Sequence, residues 1–157
     1  MAIPDVYERA ADHWRARGVP LLAPCSPAEV GATFEALGYP LSADVARLYG
    51  VVGGFANDES DVLWSLWSLA RLREENQSLA RWRQENGEDR DCVTLLLFAD
   101  WLIASHSYGF HYEDARVSSV YLDTGERIAD SLEAFLETYL SDPDAVWAFH
   151  SGDKPEL

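Results

Sequence analysis

The chain has 157 residues and a mass of 17.6 kDa, enough for one domain that buries roughly 70% of its unfolded surface without disulfide or metal staples. Hydrophobic residues at 48% and charged residues at 25% exclude a collagen-like, coiled-coil or wholly disordered chain. Twelve Lys and Arg against 27 Asp and Glu give a formal net charge of −15 and a sequence pI near 4.4, a field that repels phosphate backbones and anionic lipid and so argues against nucleic acid or membrane and for a basic protein surface as partner.

Cys25 and Cys92 lie far apart and belong to no CxxC or Cys/His cluster, which fits free thiols in a reducing compartment. The start, Met1 to Asp5, lacks a cationic and then apolar leader, and no stretch approaches 18 uninterrupted apolar residues, so a cytoplasmic location is expected.

Pro4 to Arg17 reads as a first helix, with Pro4 at N1, Val6, Ala10 and Trp14 on one stripe and Gly18 as its stop. Ser26-Pro27-Ala28-Glu29 supplies an N-cap, an N1 proline and a capping-box glutamate for a second helix that ends at Gly38. Ser42 caps a third, with Val45, Leu48 and Tyr49 inward, and the pair Gly53-Gly54 marks a tight backbone passage after it. Asn57 to Asp61 is an acidic loop, and Val62 to Trp67 reads as the first strand. Leu69 to Gln84 is helical by composition, with Leu69, Leu72, Leu79 and Trp82 on one side, either as one helix or as two divided at Asn76-Gln77-Ser78.

The second half changes character. Val93 to Ala99 is a continuous apolar run bounded by Asp100, as in a central strand covered on both faces. Leu102 to Tyr112 supplies one or two further strands and Arg116 to Leu122 another, while Asp123-Thr124-Gly125 turns the chain into a short strand at Arg127 to Ala129. Asp130 with Glu133 forms a capping box for a closing helix from Ser131 to Leu140. Helices first, then a meander of strands, then a closing helix predict an α+β fold, with N-terminal helices packed on a mainly antiparallel sheet. Without an internal repeat or long linker, residues 1–157 are expected to form one domain with its core at about 27–141.

Three segments resemble the SUKH superfamily, the cell-wall-assembly-regulator-like proteins of the Smi and Knr type. Ala28 to Phe55, AEVGATFEALGYPLSADVARLYGVVGGF, is similar to the family's opening helices and Gly-Gly turn; Asp61 to Trp67 looks like its Trp-bearing strand after an acidic loop; Leu97 to Asp142 looks like its later strands and closing helix. The family's Leu-Pro pair is reversed at Pro40-Leu41, and Val52 stands where the family usually has Asn. The resemblance implies a binding module without a shared catalytic apparatus, in bacteria mostly an immunity protein that neutralises a cognate toxin domain. A regulatory scaffold of the fungal type is the alternative, and a small hydrolase a third.

Residue chemistry adds little to suggest an enzyme. His106 and His111 stand beside Glu113 and Asp114, but an odd separation along a strand sends the two imidazoles to opposite faces unless a bulge at Gly109 intervenes. No metal or other cofactor is therefore expected. The loop acids, being solvated, are not expected to hold a proton near neutral pH, and no Gly-x-Ser-x-Gly elbow, Walker loop or GxGxxG occurs. Arg71, Arg73, Arg81, Arg83 and Arg90 gather near the middle helix, where interleaved Glu residues read as a solvated face with local ion pairs. The acids with no evident part in folding, Asp58, Glu59, Asp61, Asp100, Glu113 and Asp114, are the expected partner-binding set, grouped on one rim of the sheet and facing a basic toxin domain.

Overall fold

The fold was examined in a computed structural model, which describes residues 3–56, 64–87, 95–101, 106–112, 118–123, 126–142 and 145–148. Three helices come first: α1 (Val6–Ala16), α2 (Pro27–Leu37) and α3 (Ala43–Val51). A short strand β1 (Trp64–Leu66) leads into α4 (Leu69–Asn86), followed by β2 (Leu96–Trp101), β3 (His106–Tyr112), β4 (Ser118–Leu122) and β5 (Arg127–Ala129), and then by α5 (Leu132–Ser141) and the single turn α6 (Ala145–Ala148). The strands form one sheet in the order β1-β2-β3-β4-β5, with every neighbour antiparallel. The molecule is α+β, as the chain order predicts.

Helix starts follow the local chemistry closely. Ser26 and Glu29 complete their capping box, Ser42 accepts from the Val45 N–H, and Gly38 ends α2 at a φ of 79°. Two starts differ from expectation by a residue or so. Asp5, not Pro4, opens α1 by accepting from the Glu8 N–H, and Ser131, not Asp130, caps α5. Asp130 instead pairs with Arg127 at 3.0 Å. Of the two arrangements open at Asn76-Gln77-Ser78, the single helix is found, and α4 runs unbroken for 18 residues. Its Asn76 satisfies its polar atoms elsewhere, as described below.

The Gly53-Gly54 passage is tight. A Cβ on Gly53 would run into the Ala23 carbonyl oxygen, and Gly54, at a φ of 111°, would place one 2.7 Å from the Ser68 nitrogen. This close approach lets the Leu22 N–H reach the Gly54 carbonyl and the Phe55 N–H reach the Leu66 carbonyl, tying the loop before α2 to the end of β1.

The core is aromatic and centres on Trp64. Its indole stacks on Trp14 of α1, with centroids 5.6 Å apart and planes at 13°, and meets Tyr139 of α5 at 5.2 Å and Phe135 at 5.7 Å. Trp14 Nε1 donates to the Tyr139 hydroxyl at 2.9 Å, joining the first and fifth helices across the sheet's apolar face. Burial pushes the Tyr139 phenol up to about 12, although the Trp14 hydrogen bond and Arg17 pull it down.

A bulge in β2 completes the face. Leu97 pairs with Gly109 but Ala99 pairs with Tyr108, so Phe98 is the extra residue. It turns inward and stacks on Phe110 with centroids 3.9 Å apart. One inserted residue reverses the alternation beyond it. Ala99 and Trp101 thus join the core, and Asp100 is turned to the other face.

On the outside, Arg47 of α3 reaches Asp5 at 2.7 Å and also Glu8, binding α3 to the start of α1. Partial burial pushes the Asp5 carboxyl up, but the Glu8 N–H and the Arg47 guanidinium outweigh it and hold the group below its usual 3.8. A carboxylate lowered on folding stabilises the protein above its unfolded pKa, and that contribution is lost as pH falls through the folded value. Acid titration of unfolding free energy should therefore show a falling limb below about pH 4, shallower in Asp5→Asn; equal limbs in the two proteins would refute the assignment. Tyr139→Phe, which leaves the Trp14 indole N–H buried without its acceptor, should lower stability in urea by about 1–3 kcal/mol with an unchanged m-value. No loss would mean that the N–H finds another acceptor.

Candidate functional site

Of the six acids expected to bind a partner, Asp58, Glu59, Asp61, Glu113 and Asp114 lie outside the described residues, and Asp100 is not at the surface. Its side chain is 1% exposed and has a structural duty that the sequence reading did not foresee. Oδ2 accepts from the Trp67 indole at 2.7 Å and from the Arg71 guanidinium at 2.9 Å, while that guanidinium lies 4.9 Å above the Trp67 ring. An acid inside a strand turns to a covered face because of the β2 bulge, and Arg71, one turn into α4, supplies the opposite charge.

The strand residues that flank the two acidic stretches in sequence lie apart. Trp64, three residues after Asp61, sits level with Trp101 and His106, whereas Tyr112, which Glu113 follows, is at the far end of β3. Seven residues of strand separate those two ends by roughly 20 Å. Trp64 and Tyr112 therefore lie at opposite ends of the sheet.

The histidines behave as their spacing predicts. Strands β3 and β4 pair without a register shift from Tyr108 to Tyr112, so no bulge at Gly109 brings the rings together. His106 Nδ1 lies 3.7 Å from Asp123, and His111 meets the Tyr121 ring at 5.2 Å. Among the described residues, no group of three or more His, Cys, Asp or Glu could hold a metal ion. Cys25 is a free thiol, raised by burial and by Glu29.

Helix α4 carries two features missed by the sequence reading. The first is Asn76, whose Nδ2 donates to the carbonyls of Leu72 at 2.7 Å and Leu97 at 2.8 Å while its Oδ1 accepts from the Leu97 N–H at 2.9 Å. Since β1 ends at Leu66, opposite Ala99, the Asn76 amide replaces the missing strand along Leu97. An Asn four residues after Leu72 on an apolar stripe was the available signal.

The second is a groove of about 390 Å³ between the end of α2 and the second half of α4, with Leu37, Leu79 and Leu95 on its walls and Tyr39 and Arg83 at its polar side. Burial raises the Tyr39 phenol, and Arg83 opposes that rise, which places the guanidinium within electrostatic reach of the hydroxyl. Trp82, expected on the buried stripe, is 52% exposed instead; helical spacing puts it beside Leu79 rather than beneath it.

No protein-family model matches the chain, and no curated protein is found similar to it. Among the described residues, no helix is long and apolar enough to cross a membrane.

Asp100→Ala should lower stability by roughly 2–4 kcal/mol, because the Arg71 guanidinium loses a buried carboxylate contact and the Trp67 indole its acceptor. Asn76→Ala, which orphans both backbone groups of Leu97, should cost roughly 2 kcal/mol or more. Urea unfolding measures both, and a loss under about 0.5 kcal/mol in either, the range of ordinary surface changes, would show that the polar contact is dispensable.

Proposed function

We propose that the chain is a non-catalytic binding module of the SUKH type, an immunity protein that neutralises a basic toxin domain. The observation that carries this reading is the correspondence of element order. The three segments that resemble the family coincide with α2 and α3 up to the glycine passage, with the Trp64-bearing strand, and with β2 through α5. The net charge of −15 supports the basic partner, since complementary fields speed encounter. Buried polar side chains support a binding role over chemistry: Asp100 and Asn76 hold elements together, and Ser42 caps α3. A cytoplasmic location belongs to the same reading.

With Asp100 assigned to the interior, the contact is carried by Asp58, Glu59 and Asp61, with Glu113 and Asp114 as a second acidic segment. A polymorphic-toxin gene immediately upstream is what the immunity reading requires, and the test is co-expression with the toxin domain of such a gene; a housekeeping neighbourhood would reject the immunity role in favour of the regulatory scaffold. Growth should be restored, and Asp58, Glu59 and Asp61 changed together to Lys should slow association by more than about tenfold at low salt while the thermal midpoint stays nearly constant. Unrescued growth would reject the immunity role. Association indifferent to both reversal and salt would reject the acidic segment as the contact.

A further inference from the structure

We propose that the groove between α2 and α4 is a second, oppositely signed docking surface, which takes an amphipathic segment of a partner protein presenting an apolar side chain next to a carboxylate. The argument begins with unbalanced charge. Acids outnumber bases 27 to 12 in the chain, and Arg9, Arg15, Arg47, Arg71 and Arg127 each pair with a carboxylate. Among the described residues Arg17, Arg73, Arg81 and Arg83 have no carboxylate at ion-pair distance; the first three are exposed, and Arg83 alone of the four is half-buried. In so acidic a protein, a cation left in that state while half-buried at the side of a groove is the exception. The carbonyl end of α2 beside it offers partial negative charge only. A guanidinium is a planar fork suited to a carboxylate, and it gains strength where apolar walls keep water away.

The rest of the groove describes the remainder of the ligand. Leu37, Leu79 and Leu95 form an apolar trough, and the Tyr39 hydroxyl stands near Arg83 as a further hydrogen-bonding group. Trp82, half exposed beside Leu79, extends the apolar surface beyond the trough. A small carboxylic acid filling the trough would leave that indole in water. A helical or extended protein segment would cover it, and Trp and Arg at the centre of an apolar patch are the residue types that dominate protein interfaces. This surface is independent of the acidic segments and does not rest on the immunity reading.

Two acetylated, amidated probe peptides of about 12 residues test the proposal, both amphipathic with Leu at helical spacing, one with Glu beside the Leu stripe and one with Gln at the same positions. Each is titrated into the isotope-labelled full chain and followed by amide and indole N–H shifts. The Glu peptide should shift Leu79, Ala80, Trp82 and Arg83 and bind at least about tenfold more tightly than the Gln peptide at low salt. Arg83→Gln should abolish that difference, and Trp82→Ala should weaken both peptides; neither position is in the core, and an unchanged thermal midpoint shows that each variant is folded. Equal affinities, shifts centred elsewhere, or an Arg83→Gln protein that still prefers the Glu peptide would overturn the proposal. So would saturable shifts at the same residues with octanoate as tight as with the Glu peptide, which would make the groove a small-acid site, or concentration-dependent shifts without any peptide, which would assign it to a second copy of the chain.

Discussion

The stack of Trp64 on Trp14 is the contact on which the other layers depend. Trp64 is on a strand of three residues at the sheet edge, too short to hold itself by backbone pairing alone. Its indole touches α1 through Trp14, the glycine passage through Phe55, neighbouring strands through Phe98 and Tyr108, and α5 through Phe135 and Tyr139. Aromatic rings serve this purpose because each buries a large rigid area and meets its neighbours edge-on or offset at favourable geometry. The hydrogen bond from Trp14 to Tyr139 adds direction to an otherwise non-directional cluster, and so fixes the relative placement of two helices through residues 125 positions apart in the chain.

The second constraint is the bulge in β2. Inserting Phe98 increases the aromatic content of the core and simultaneously removes Asp100 from it. A carboxylate facing Trp64 and Phe110 would have neither charge partner nor water. Turned to the opposite face, it meets Trp67 and Arg71 and becomes the anchor of the first turn of α4. Asn76 anchors the next turn on the backbone of Leu97. Both contacts lie on one helix and bind it to one strand, so the position of α4, and with it the α2–α4 groove, follows from the bulge at Phe98 together with the early end of β1.

Charge is distributed between two kinds of surface. Five of the nine arginines described pair with carboxylates, as Arg47 does with Asp5 and Glu8 and Arg9 with Glu137. Helix α4 departs from that pattern, with four Arg against three Glu along its length and Arg83 directed to an apolar groove.

Local chemistry explains why much of this fold was legible in the amino-acid order. Ser26 and Glu29, Ser42 and Gly38 act on backbone groups within a few residues, so their consequences appear without tertiary information, whereas the pair Gly53-Gly54 marks a tight passage whose neighbours, Ala23 and Ser68, only the fold brings up. The apolar run at β2 and the helical stripes of α1, α2, α3 and α5 are likewise local periodicities, and their succession defines an α+β molecule. Odd spacing alone separated His106 from His111. The fates of Asp100, Asn76 and Trp82 were decided only by the tertiary structure. An acid next to an apolar run reads as a strand end unless a bulge carries the strand past it, and the bulge arises from pairing with β3, which no local pattern contains. Asn76 reads as a helix breaker until the early end of β1 leaves Leu97 to be satisfied. Trp82 reads as core because its spacing is apolar, but α2 covers only the neighbouring side of α4, and which side is covered is a property of packing between elements distant in the chain.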